Sequence, residues 1–521
     1  MIKKILPLLI VAGLAIWSVW PMVKCVSCVA DFGRDGILIN WIINRSGKNL
    51  YGLHSGGVEL LFGGDIFYPY TNVLAYSDMF MVTALWAYPL GRWWGDPRIV
   101  SGLVMVVGQV MTMTICYCWW RRITKNNWGA AVGAIVFGLS QIRFEYQVHM
   151  QMWNMVNLLT AGWLMAEWVE GKYKKTYLLI LGVGLLGVQV WESLLPVYFS
   201  AVMVAAKIVV DRRPPIKQLL LAATVFLVVA FLPLRAYWQV SREFNFQRTI
   251  RDAANGGMSV DDLWGKFASP GLYVLLGVVG MRIVGKRKLL GTQERRTLRW
   301  LGLILITSLI LALGPTLKWG GKTVKLGGKI PIALPYAAAY YLVPGMDAFR
   351  TPSRWIFLTG WAASGIIAVG FNNIQFSELK QNLNLSNWKR KKRLVGVWGL
   401  LLTAVVGGTA ISKVRRVPGD GDVPTIYRWL GSQPGEVVVI LPMYADEREI
   451  ERLPYSYVHQ KKTINGFSGF YPPERMNTVS RQTADEFREL GVNWVVVEKG
   501  EAIIEGLKLE YADKEHEVFK I

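Results

Sequence analysis

The 521-residue sequence predicts a mainly α, polytopic helical membrane protein that ends in a small α/β domain outside the membrane. Three observations carry this. The chain is 52% apolar and only 18% charged, with a mean hydropathy of +0.30, whereas soluble domains carry about a quarter of their residues charged. Apolar stretches of roughly 17–20 residues recur, long enough to cross a hydrocarbon core of about 30 Å. From Val414 onward that pattern gives way to short β-branched runs separated by charged helical segments, as expected of strands alternating with helices.

Lys and Arg number 58 against 36 Asp and Glu, a net charge of +22. In a soluble protein such an excess points to nucleic acid. Here the basic clusters fall between apolar spans, where they act as topogenic signals, so no nucleic-acid partner is expected. Four cysteines are too few for a disulfide scaffold in a chain this long. Cys25 and Cys28 form a C-x-x-C beyond the first span, which suits a redox pair or half a metal site, but no second C-x-x-C or His cluster completes it. Cys116 and Cys118 lie within an apolar run and read as core residues.

In chain order, residues 5–23 follow Lys3 and Lys4 and form the first span. A clear small-x-small cleavage site is missing, so a retained helix with a cytoplasmic N-terminus is expected rather than a signal peptide. An external loop, residues 24–78, follows. Residues 79–94 are apolar but interrupted by Pro89 and Gly91, which suits a short span or a helix lying in the interface. The interfacial assignment puts every later basic cluster on one side.

Spans are then expected at 99–120, 128–142, 153–169, 177–191, 194–210, 219–234, 271–284, 300–317, 355–371 and 394–411, about eleven with the first. Long external loops follow residues 234 and 317. The transmembrane domain thus covers 1–412 and the extracytoplasmic α/β domain 413–521, in a multi-pass protein of the cell membrane. In the second domain the pattern predicts a helix at 424–430, a buried strand at 436–442, a helix, a turn at Gly491 and a strand, then strand–turn–strand to the end.

Two motif matches are discounted. Gly182, Gly184 and Gly187 spell G-x-G-x-x-G inside an apolar span, with no preceding strand; close helix packing by small residues explains them better than dinucleotide binding. Asn44-Arg45-Ser46 is a glycosylation sequon, relevant only where such sites are modified.

Chemistry concentrates in the external stretches. The loop from Ala30 to Asp78 carries Asp31, Asp35, Glu59, Asp65 and Asp78. Asp35 lies ahead of Trp41 near the membrane surface. It suits a general base toward a hydroxyl, or a ligand to a divalent cation such as Mg or Mn; as a helix N-cap or solvated acid it would look the same. Arg143, Glu145, His149 and Gln151 fall in one external turn, where Arg143 offers phosphate its fork and the others suit sugar hydroxyls. Glu192 sits at a helix end. Arg350 and Arg354 flank Pro352 at the top of a span, as phosphate ligands or as snorkelling anchors. Asp78 pins the loop where it re-enters the membrane. Phe467, Phe470 and Tyr471, on a turn with Gly466, Gly469 and Pro472–Pro473, suit sugar stacking or, better, docking of the last domain onto the first.

The segments DGILINW, DIFYPYTNVLAYSD, RFEYQVHMQMW, PGMDAFRTPSRW and INGFSGFYPPE occur in that order. Together the chain resembles a large group of bacterial polytopic proteins related to the GT-C glycosyltransferases. The resemblance implies a GT-C fold and transfer of a sugar from a polyprenyl-phosphate donor to an acceptor glycan, lipid or protein on the outer side of the lipid bilayer. It also implies an acidic residue of the first external loop as base or metal ligand, matched here by Asp35, with Asp31 beside it. Better-studied branches often show an adjacent acidic pair; Asp31 and Asp35 are four apart, a spacing that shares a helix face. Two other classes compete: a transporter or flippase of a lipid-linked precursor, which calls for mid-span ionisable residues or repeated halves, and a non-catalytic scaffold for cell-envelope assembly.

Overall fold

In the computed structural model, the described residues are all except 1, 31–33, 54–56, 58–59, 212–213, 265, 267–274, 278, 281–289, 373–411, 419–421, 474–482 and 501–505. Asp31, Glu59, most of the span expected at 271–284 and that at 394–411 lie outside the described residues.

The first helix, α1 (Ile2–Ser18), leads through a short helical turn to β1 (Cys28–Ala30). Cys25 and Cys28 are joined by a disulfide. Next come α2 (Asp35–Tyr51), on the external loop of the sequence reading, and α3 (Met81–Trp94), continuous through Pro89. These two pack closely: a Cβ on Gly47 would stand 2.2 Å from the Tyr88 ring, so only glycine allows the approach.

The bundle continues with α4 (Ile99–Thr124), α5 (Asn127–Gly138), α6 (Val156–Glu170), α7 (Thr176–Val190), α8 (Leu195–Val210), α9 (Ile216–Phe244), α10 (Thr292–Ala312) and α11 (Ile356–Asn372). Among the described residues, α4, α9 and the stretch Pro352–Phe371 are long and apolar enough to cross a membrane, and three shorter helices are strongly apolar. Two differences from expectation matter. The segment expected to leave helix at 234 continues as α9 to Phe244, because Tyr237 and Val240 supply further apolar contacts along the same side. The turn holding Arg143 to Gln151 is itself two short helices, Gln141–Glu145 and Met150–Trp153.

The bundle core contains a tryptophan cluster in which Trp361 lies 4.7 Å from Trp119 and 4.8 Å from Trp120, ring centre to ring centre. Gly182 and Gly187 pack against Met165 and Val229 on neighbouring helices, with would-be Cβ contacts of 2.8 and 2.7 Å. These two are therefore packing glycines, whereas Gly184 faces open space, with nothing within 4 Å of a would-be Cβ, and does not fit that reading. Asn44 of the sequon is buried and donates to the carbonyl of Pro97 at 2.8 Å, so no glycan fits there.

Residues 414–520 form β2 (Val414–Arg416), α12 (Thr425–Ser432), β3 (Val437–Leu441), β4 (Lys462–Thr463), α13 (Ala484–Glu489), β5 (Trp494–Glu498), β6 (Lys508–Ala512) and β7 (His516–Lys520). β2 pairs antiparallel with β1. The other five strands make a mixed sheet in the order β6-β7-β5-β3-β4, with β3 parallel to both β4 and β5. β3 is buried along its whole length, which explains its unbroken Val/Ile/Leu run.

This segment is joined to the loop after β1. Thr463 N donates to Asp65 O at 2.7 Å, Tyr68 N to Thr463 O at 2.9 Å and Phe67 N to Asn465 O at 3.0 Å, so the loop extends the edge of the sheet. An edge left with open N–H and C=O groups is thereby covered.

Candidate functional site

A cavity of about 570 Å³ opens between α2, the end of α9, the segment before Pro352 and the segment at 467–471. Asp35, the first residue of α2, stands on its wall. Gly36 fixes that position: a Cβ there would lie 2.7 Å from Ala30 O, so β1 can lie directly against the start of the helix.

Asp78, His149, Gln151, Arg350 and Arg354 share the same wall. Gln151 Nε2 donates to Asp78 Oδ2 at 2.7 Å. Arg354 Nη2 is 3.4 Å from His149 Nε2. Burial raises the Asp35 carboxyl, Glu447 raises it further, and Arg350 and Arg354 act against both. Asp78 is raised by burial, opposed by the nearby Ser193 hydroxyl and by Arg354. His149 is held neutral, well below the usual imidazole range, by burial and then by Arg354 and Arg350. Carboxyl groups, two guanidinium groups and a neutral imidazole therefore face one space. This arrangement can take up a proton and hold an anion.

Residues far apart in sequence complete the wall. Arg248, Asp347 and Glu447 all line it, and none was singled out from the sequence. Arg248 donates to Gly469 O, and its guanidinium lies 4.2 Å from the Phe470 ring centre; its amide N donates to Asp347 O at 2.9 Å. Phe470 stacks on Phe246 at 4.8 Å. The 467–471 turn thus makes the docking contact and also lines the cavity. Glu447 lies in the acid-rich stretch ADEREIE, a usable signal, although nothing in it points to Asp35.

Other sequence-selected residues lie elsewhere. Arg143 is fully buried off the cavity wall, donating at 2.8 Å both to Gln109 Oε1 and to Trp153 O, with its guanidinium 4.6 Å from the Trp153 ring. That geometry ties α4 to the turn and keeps Arg143 away from the cavity that Arg350 and Arg354 line. Glu145 is half-buried and also off the wall. Glu192 stands behind Asp78, accepting from Thr83 N at 2.8 Å and from the Thr83 hydroxyl. Burial pushes its carboxyl up to about 7 despite those bonds. Among the described residues, no three His, Cys, Asp or Glu side chains gather to hold a metal; the carboxylates that line the cavity are Asp35, Asp78, Asp347 and Glu447.

The apolar side of the cavity is formed by α9. Its wall residue Trp238 is 57% exposed, and Phe231 and Leu227 continue that exposed face along the helix. The cavity therefore communicates with an apolar outer surface.

No protein-family model matches the sequence, and no curated protein matches it. Among solved structures, the arabinofuranosyltransferase AftD from mycobacteria is similar with a TM-score of 0.56 and 11% identity, over 98% of this chain and 41% of that one. This chain thus spans less than half the length of AftD. ArnT from Cupriavidus metallidurans, bound to undecaprenyl phosphate, aligns with a TM-score of 0.49 and 11% identity, over 100% of this chain and 98% of that one. The likeness to AftD shows a shared GT-C-type fold.

Proposed function

We propose that this chain is a membrane glycosyltransferase that moves a sugar from a polyprenyl-phosphate donor to an acceptor hydroxyl on the outer face of the cell membrane. The carrying observation is the single cavity that brings Asp35 together with Arg350 and Arg354 and opens beside the exposed apolar face of α9. A lipid tail would lie along Leu227, Phe231 and Trp238, leaving its phosphate between the two arginines.

Asp35 takes the acceptor proton as the acceptor oxygen bonds to the anomeric carbon, and the bond from that carbon to the phosphate oxygen breaks on the opposite side. The outcome is inversion. Arg350 and Arg354 stabilise the charge that develops on the departing phosphate, an interaction strengthened at Arg354 by its partial removal from water. His149, being neutral, can hydrogen-bond a sugar hydroxyl without adding charge. Among the described residues the carboxylates at this wall do not gather into a set that fits a divalent cation, so no step is assigned to one.

The test is Asp35→Asn, assayed in membranes with a labelled polyprenyl-phosphate sugar. Loss of general-base catalysis is expected to lower transfer by about 10²–10⁴-fold, with insertion and unfolding temperature retained. Full transfer by that variant overturns the assignment.

A further inference from the structure

A second cavity, of about 760 Å³, lies on another face of α2. Asp35, Leu38, Ile39 and Ile42 face the first cavity, whereas Trp41, Asn44, Arg45 and Lys48 face the second. Each set has helical i, i+3, i+4 spacing, and the two lie on different sides of one helix. The other walls come from the last turn of α3 with the turn after it, and from the C-terminal segment.

The charge of this second cavity is one-sided. Five cations, Arg45, Lys48, Arg92, Arg98 and Arg416, line it against two carboxylates, Asp65 and Asp96, and Arg416 is paired with Asp422 at 3.6 Å. Asp96 is engaged by Arg98 through bonds of 2.8 and 2.9 Å. Asp65 is 3.4 Å from Arg45 Nη1, while Arg45 Nε and Asp65 Oδ1 are buried without a hydrogen-bond partner. Among the described residues, Lys48 and Arg92 have no carboxylate partner; both are exposed. Walls that enclose like charges concentrate the field and draw in counter-charge.

The position of the cavity favours one source of that counter-charge. Arg92 is followed by Trp93 and Trp94, which are 82% and 64% exposed. Exposed paired tryptophans beside a basic side chain match the composition of a membrane–water interface, where lipid phosphates lie.

We infer that this second cavity binds the phosphate of an anionic lipid headgroup, with Lys48 and Arg92 reaching it first and Arg45 lying deeper. The site is separate from the proposed reaction, and neither Lys48 nor Arg92 lines the first cavity.

The test uses the full chain in neutral detergent and native mass spectrometry, with phosphatidylglycerol titrated against phosphatidylcholine and inorganic phosphate added as competitor. The wild type is expected to retain phosphatidylglycerol preferentially, and Lys48→Gln/Arg92→Gln to bind it about ten- to thirtyfold more weakly. Both side chains are exposed, so the fold is expected to survive, as checked by thermal unfolding. Asp35→Asn is expected to keep the lipid preference even where transfer is lost, which separates this inference from the transferase assignment. Equal lipid binding by wild type and double variant overturns the site. Binding of inorganic phosphate without any preference for phosphatidylglycerol overturns the lipid source.

Discussion

Gln151 Nε2 donates a 2.7 Å hydrogen bond to Asp78 Oδ2, tying the turn after α5 to the point where the first loop meets α3. Gln151→Leu keeps the bulk and removes the donor from a half-buried carboxylate. Such a change costs about 1–3 kcal/mol, and the expected result is a lower unfolding temperature in detergent. An unchanged unfolding temperature would show that Asp78 does not depend on this bond.

Glu447 raises the Asp35 carboxyl, adding to the effect of burial. As a base, Asp35 works only when ionised, so transfer should decline as pH falls through its raised value. Glu447→Gln removes the like charge and should move that acid limb toward lower pH, with little change at neutral pH. A pH–rate profile with an unmoved acid limb would mean that Glu447 does not act on Asp35.

Glu192 makes a second pH prediction, on stability. Its folded value, raised to about 7 first by burial, exceeds the ordinary glutamate value. A folded value above the unfolded one favours folding when the group is protonated. That contribution is present at low pH and lost as pH rises through about 7. The loss reaches about 3 kcal/mol. Glu192→Gln should flatten this fall, which runs from the ordinary value of 4.5 up to about 7, measured by thermal unfolding across that range; an equally steep fall would assign it to another group.

A Cys25–Cys28 disulfide persists only in an oxidising compartment, so its presence in cells tests the expected external placement of that end. Alkylation of the denatured, unreduced protein from cells should label Cys116 and Cys118 alone, and reduction should add Cys25 and Cys28, as read by mass spectrometry. Labelling of all four before reduction would place that end of the chain on the reducing side.

Much of the C-terminal segment is legible locally. The Val437–Leu441 run, the Gly491 turn, with φ +69°, and the closing strand pair all occur where the sequence pattern puts them. Their signals lie within a few residues: β-branched runs, a glycine at positive φ, and Thr483 capping the helix that begins at Ala484. Helix ends in the bundle were harder to read. α9 runs on to Phe244 because its last turns pack on loops contributed by distant sequence.

The site divides in the same way. Asp35, Arg350 and Arg354 stand out because a charge beside an apolar span needs a solvent, a partner or a task. Arg143 meets part of that requirement through Gln109 and the Trp153 carbonyl, with Nε and Nη1 left without a hydrogen-bond partner, and stays off the wall. Arg248 and Glu447 reach the wall from positions that carry no comparable local mark.

By itself, the sequence determined the membrane character, the alternating strands and helices of the last hundred residues, and the candidate acid at the head of α2. Apolar period, span length and turn chemistry are local properties, readable without knowing what packs where. Only the tertiary structure decided which charges share a space. That depends on the sheet edge joining Thr463 to Asp65 and Tyr68, and on α2 presenting one face to each of two cavities. Both are long-range arrangements set by packing, and packing brings together residues hundreds of positions apart without marking any of them in the chain.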